Sequence, residues 1–153
     1  MNRRQVWLAS AIGIAAATVS VAAARSVAGE PPVDILVYKS PTCGCCSKWI
    51  DHLKANGFNV TATDVPDMAA VHRQNGVPDP LISCHTALVD SYVIEGHVPA
   101  DVIQRLLKEK PRVHGLTIPG MPASAPGMDA KPPVPYEVLT FQRDGKTAVY
   151  ERR

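Results

Sequence analysis

The sequence has no glycine-rich phosphate loop, no paired-carboxylate signature and no nucleophile elbow, which leaves nucleotide hydrolysis, glycosidase and serine-hydrolase chemistry without a foothold. A basic excess is also missing. Residues 1–28 carry three of the 16 Lys and Arg and none of the 14 Asp and Glu, so the remainder stands one charge on the acidic side. Nothing in that remainder offers a nucleic-acid surface. Asp51, Asp64, Asp67 and Asp79 fall in solvated or turn positions. Cysteine is scarce as well, with four in 153 residues. They are not spread out: Cys43, Cys45 and Cys46 crowd into "CGCC", and Cys84 stands alone.

The N-terminus "MNRRQVWLASAIGIAAATVSVAAARSVAGE" has two arginines, an alanine-rich apolar run and small residues before Ala28. That is the grammar of a secretory signal, residues 1–28, with cleavage after Ala28. The competing reading is a retained anchor over Val6 to Ala24. The alanine content and the small-x-small ending favour cleavage and work outside the cytoplasm. Arg3-Arg4 adds a weak twin-arginine signal. About 125 residues then remain, enough for one domain with its own core.

"VDILVYK" (33–39) is a β-branched run that predicts a buried strand. From Cys46 the apolar residues Trp49, Ile50 and Leu53 recur with helical spacing, and Gly57 ends the helix. "FNVTATDV" (58–65) alternates as a second strand, and residues 66–76 form a short helix from Pro66. "HTALVD" (85–90) and "YVIEGHV" (92–98) pair around a tight turn, and residues 99–110 close with a helix. The order β-α-β-α-β-β-α, with a CxxC where the first strand meets the first helix, predicts an α/β, thioredoxin-like core over 29–110. Residues 111–135 are dense in Pro, Gly and Ala, repeat Pro-Gly-Met at 119–121 and 126–128, and read as one irregular loop. Residues 136–153 form a hairpin around Asp-Gly, packed back on the core.

Three chemistries compete for the cysteines. Stapling is disfavoured by magnitude: a Cys43–Cys46 bond closes a tiny loop worth roughly 2 kcal/mol, against about 4 for one reaching Cys84. Thiol–disulfide exchange by Cys43 and Cys46 is stronger, because a helix N-terminus favours thiolate. The third cysteine inside the motif would compete in it. No proline stands where thioredoxin-like enzymes carry a cis-proline; Cys84 sits near that place, which in a thioredoxin-like fold faces the cluster. Metal binding is the third. Zinc prefers two separated CxxC knuckles, whereas neighbouring thiolates bridge several Cu(I) ions, and soft thiolate and thioether donors select Cu(I). Met121 and Met128 are auxiliary thioether candidates, with ordinary packing as the rival reading.

These residues resemble a known family. "VYKSPTCGCCSKWIDHLKANGF", "SCHTALV", "YVIEGHVP" and the two Pro-Gly-Met elements are similar to CopG-type periplasmic copper-resistance proteins, long catalogued as a domain of unknown function. The resemblance spans roughly residues 33–150. It implies a thioredoxin-like fold, Cu(I) held by Cys43, Cys45, Cys46 and Cys84 as a multinuclear thiolate cluster, and a role in copper tolerance with redox chemistry at the thiols. Partners would be copper ions and periplasmic copper-handling or electron-donor proteins, with no nucleic acid and no membrane after signal cleavage. Oxidation would pair Cys43 with Cys46 and Cys45 with Cys84, although spacing does not fix connectivity. Whether the chain turns over as an enzyme stays open.

The histidines are weaker signals. His52 lies about 10 Å along the helix from the cysteines by helix rise, too far to share a ligand shell, and reads as a surface or supporting residue. His85 points to the face opposite Cys84 if the strand has begun, and joins the site if the chain bends there. His97 and His114 occupy turn or loop positions within reach of the methionine loop. His72 reads as a solvated helix residue, and Trp49 as core beneath the cysteines.

Overall fold

The computed structural model describes residues 31–128 and 130–153; the segment expected to be a secretory signal, residues 1–28, lies outside them. The elements run β1 Val33–Lys39, α1 Gly44–Ala55, β2 Phe58–Asp64, α2 Met68–Gln74, β3 His85–Val89, β4 Tyr92–Glu95, α3 Ala100–Glu109, β5 Gly115–Thr117, β6 Glu137–Phe141 and β7 Thr147–Arg152. A single 3-10 turn, Asp79–Leu81, precedes β3. No described helix is long and apolar enough to cross a membrane.

All the strands join one mixed sheet in the order β2-β1-β3-β4-β5-β6-β7. β1 and β2 run parallel, as the helical crossover between them requires. β3 runs antiparallel to both β1 and β4, the latter across a two-residue turn in which Asp90 takes a φ of 52°. The expected strand over 92–98 stops at Glu95, because Gly96 adopts a φ of 75° and turns the chain toward α3.

Alternation along the strands makes three layers. Ile35 and Val37 of β1, Ala87 and Val89 of β3 and Ile94 of β4 face α1 and α3, and form the main core with Trp49, Leu53, Ile103 and Leu106. Each fully buried Val, Ile or Leu among them stabilises the fold by about 1.5–3 kcal/mol. The alternate residues face the other way: Leu88 and Val93 meet Val77, Leu81 and Phe141 there. The same face carries Glu95, whose contact with His72 puts α2 on that side.

The segment 111–135 is not uniformly irregular. β5 lies inside it, parallel to β4 and antiparallel to β6. The C-terminal hairpin β6-β7 therefore extends the same sheet through β5. Gly115 makes this possible, since a Cβ there would stand 1.8 Å from the carbonyl oxygen of Val93. The loop from Ile118 to Tyr136 leaves the sheet at β5 and returns to it at β6.

Candidate metal centre

Cys43 is the N-cap of α1, and its sulfur accepts from the backbone N–H of Cys46 at 3.3 Å. The helical rise sets the sulfurs of Cys43 and Cys46 facing each other, and they are joined as a disulfide. Cys45 and Cys84 are free thiols, both half-buried. Cys45 Sγ lies 3.6 Å from Cys43 Sγ, and Cys84 Sγ lies 3.4 Å from the fully buried Cys46 Sγ. All four sulfurs fall within 4.8 Å of one another. Of the two disulfides expected on oxidation, the structure holds Cys43–Cys46 and leaves Cys45 and Cys84 unjoined.

Two imidazoles complete the cluster. His85 Nδ1 and His97 Nε2 each stand 3.5 Å from Cys84 Sγ, so Cys46, Cys84, His85 and His97 form a second convergent group of donors. The bend that brings His85 to the same side as Cys84 follows from where β3 starts. Cys84 belongs to the turn before the strand, so strand alternation does not apply between them. His85 is enclosed, its ring 4.3 Å from that of Trp49, and its Nε2 has no hydrogen-bond partner. Burial first, and then the neighbouring His97 charge, push His85 down to about 3. Burial likewise pushes the Cys84 thiol up to about 11, against the Ser83 hydroxyl, which pulls it down.

The loop after β5 roofs this cluster. His97 Nδ1 lies 2.7 Å from the carbonyl oxygen of Pro126; a carbonyl only accepts, so Nδ1 carries the hydrogen, and in the neutral ring Nε2 presents its lone pair to Cys84. Gly127 crosses directly over the start of α1. A Cβ there would meet Trp49 N at 2.9 Å and the Cys45 carbonyl oxygen at 3.0 Å. Met128 packs against the main core, and Met121 is half-buried at a φ of 47°.

A buried polar network supports the turn that carries Cys84. Glu95 is fully buried. Its Oε1 accepts from the Ser83 N–H at 2.6 Å and its Oε2 from the Thr86 hydroxyl at 2.7 Å, on either side of Cys84. His72 Nε2 comes within 3.4 Å of Oε1. His72 is thus buried and not solvated, because α2 packs on the sheet against β1 and β3 and turns His72 toward Glu95. His52 is half-buried, and its Nε2 accepts from the Ala100 N–H at 3.1 Å, capping α3. His114 reaches the Asn75 carbonyl, away from the loop. Trp49 is core as expected, with its indole N–H given to Val98 O at 2.8 Å.

An open cavity of about 710 Å³ lined by Arg112, His114, Arg143 and Lys146 occupies the far end of β5 and β6 from the cysteines.

Sequence reasoning missed Glu95 and undervalued His97. A lone carboxylate inside the apolar strand "YVIE" was the available signal, since a charged residue is fully buried only when paired.

Two solved structures, described as copper resistance protein CopG in Form 1 and Form 2, are each 41% identical to this chain. Each aligns over 80% of it and 98% of the solved chain, with a TM-score of 0.74. The chain belongs to the CopG-type copper-resistance family. Residues 81–128, which carry Cys84, His85, His97 and the roof loop, also match the family described as "Protein of unknown function, DUF411". No curated protein matches the sequence.

Proposed function

We propose that this CopG-type chain is an exported copper-binding protein. It takes up Cu(I) at Cys43, Cys45, Cys46 and Cys84 as a multinuclear thiolate cluster serving copper tolerance. The observation that carries this reading is the convergence of four sulfurs within 4.8 Å, with two imidazoles at the same spot. Soft thiolates select Cu(I), and adjacent sulfurs suit bridging between ions better than a single tetrahedral zinc. His85 Nδ1 and His97 Nε2, each 3.5 Å from Cys84 Sγ, would add two nitrogen donors to the sulfurs. The name of the two similar structures points the same way.

Copper binding and thiol redox state are then coupled, because sulfurs joined in the Cys43–Cys46 disulfide are not thiolates. Two electrons and two protons from a dithiol donor free both. The core is thioredoxin-like in this reading: β2-β1-β3-β4 form the strand order, with β3 alone reversed among those four. Export rests on the signal over 1–28, and a mature N-terminus at Gly29 is the expected product.

The test is an anaerobic Cu(I) titration of the fully reduced chain against a competing chelator, beside Cys84→Ser. More than one tightly held copper per chain, lost in the variant, supports the cluster. Weak binding indifferent to Cys84 overturns it. A second reading, thiol–disulfide oxidoreductase, is favoured by the disulfide at the start of α1. It expects insulin reduction that depends on Cys43 and Cys46 and is little changed by Cys84→Ser.

A further inference from the structure

Three sulfurs in this site stand in the order a disulfide relay needs. Cys43 and Cys46 share a bond, and Cys84 Sγ approaches the Cys46 side of it at 3.4 Å. Cys84 Sγ has His97 Nε2 beside it at 3.5 Å. Cys43, on the far side of the bond, is capped by the Cys46 N–H at 3.3 Å. An attacking thiol, a proton acceptor and a stabilised leaving sulfur are all present in one chain.

We propose that Cys84 attacks Cys46 and moves the disulfide inward, from Cys43–Cys46 to Cys46–Cys84, with His97 carrying the proton. The inference rests on the thiol-redox side of the proposed function and stands without copper. Cys84 Sγ gives its proton to His97 Nε2 and its electron pair to Cys46 Sγ. The Cys46–Cys84 bond forms as the Cys43–Cys46 bond breaks. Cys43 Sγ leaves with the bonding pair as a thiolate and recovers the proton. One disulfide and one thiol stand on each side, so no outside oxidant or reductant is consumed.

The leaving sulfur is the right one to release. Cys43 sits at the first turn of α1, where unpaired backbone N–H groups stabilise a thiolate. His97 is also the better of the two nearby bases. Its Nδ1–H is already held by the Pro126 carbonyl at 2.7 Å, which supports the imidazolium that forms. His85 is equally near, but it is fully enclosed against Trp49 and its Nε2 has no hydrogen-bond partner, so a proton there would create a buried cation that its surroundings disfavour. The roof loop thereby takes part in the chemistry through one backbone carbonyl.

The consequence is a change in what the half-oxidised protein presents. Before the shift, the rim holds half of a disulfide and the Cys45 thiol. After it, Cys43 and Cys45, with sulfurs 3.6 Å apart before the shift, become a free thiol pair while the oxidising equivalent is stored beneath them. A chain that still carries one disulfide then offers two adjacent soft donors.

The test uses the oxidised, metal-free full chain with Cys45→Ser, which leaves Cys43, Cys46 and Cys84 to share one disulfide. Excess iodoacetamide traps whichever thiol is free, and non-reducing peptide mapping finds it. The expected result is two products: Cys84-labelled chain retaining Cys43–Cys46, and Cys43-labelled chain retaining Cys46–Cys84. His97→Gln should form the second at least about a hundredfold more slowly, the lower end of the usual effect of a lost proton acceptor, while near-ultraviolet circular dichroism reports an intact fold. Recovery of Cys84-labelled chain alone overturns the relay. Undiminished Cys43 labelling in a folded His97→Gln overturns the part given to His97. Neither outcome touches the copper titration of the fully reduced chain, so the two readings fail separately.

Discussion

The carboxylate of Glu95 accepts a hydrogen bond from the backbone amide of Ser83 at 2.6 Å. With the Thr86 hydroxyl on its second oxygen at 2.7 Å, it grips the chain on both sides of Cys84. Glu95→Ala strands a half-buried N–H and a fully buried hydroxyl, the latter costing about 1–3 kcal/mol. Urea unfolding should show that loss. Glu95→Gln retains an acceptor for one of them and should lose less. Equal stability of Glu95→Ala and the parent chain would show that the network does not fix the turn.

Gly127 tests the roof. It sits at a φ of 84°, and a Cβ would come within 3.0 Å of two backbone atoms of α1. Gly127→Ala should cost about 1–3 kcal/mol through left-handed strain and the clash, and should displace the neighbouring Pro126 carbonyl from His97. A lowered melting temperature, with faster alkylation of Cys84 as the roof lifts, is the expected result. Gly115→Ala is the harsher control, because its Cβ would stand 1.8 Å from Val93 O, between β4 and β5.

Trp49 is a built-in reporter. The other tryptophan, Trp7, lies within residues 1–28, so a chain beginning at the expected Gly29 has one. Its ring stacks 4.3 Å from His85 and 6.4 Å from His97. Titration with Cu(I) should quench its emission up to the same stoichiometry that the chelator competition gives. Cys84→Ser should abolish the early, steep part of that curve. Trp49→Phe should cost about 1 kcal/mol beyond its lost area, as the Val98 carbonyl loses its donor.

Cys84 makes stability depend on alkaline pH. Burial holds its thiol at about 11, above the ordinary 9.0. Below the ordinary value the thiol is protonated in folded and unfolded chains alike, and the folded state keeps its full advantage. Between about 9.0 and about 11 the unfolded thiol ionises first, so stability falls as pH rises. Cys84→Ser should remove that slope from a denaturation series, and a slope unchanged in the variant would assign it to other groups. Alkylation of Cys84 should likewise keep accelerating toward pH 11 and not level off near 9, since the thiolate is the nucleophile.

Much of the architecture was legible where periodicity is strong. β1, β2 and α1 are long enough to carry a pattern, and Trp49, Ile50 and Leu53 mark the buried face of α1 directly. β5 was not legible. Gly115-Leu116-Thr117 is only three residues long, too short for any period, and it is a strand only because β4 and β6 flank it. The cysteines announced a site, and the expected meeting of Cys84 with "CGCC" depended on the strand order the sequence predicts. The histidines did not announce their roles. His72 is buried by the way α2 lies on the sheet, and His85 turns toward Cys84 because β3 starts at His85. Those are tertiary facts with no local trace in composition or spacing.

The loop between β5 and β6 begins and ends on neighbouring strands of one sheet. It is therefore a tethered ligand with respect to the thiols beneath it. Tethering converts an encounter between two molecules into a local one, with effective concentrations that reach the millimolar range for short connections. A chain cut after α3 would keep every cysteine but would lose this local supply of the Pro126 carbonyl. The hairpin β6-β7 contributes none of the sulfurs. It acts as the anchor that keeps the roof at high local concentration.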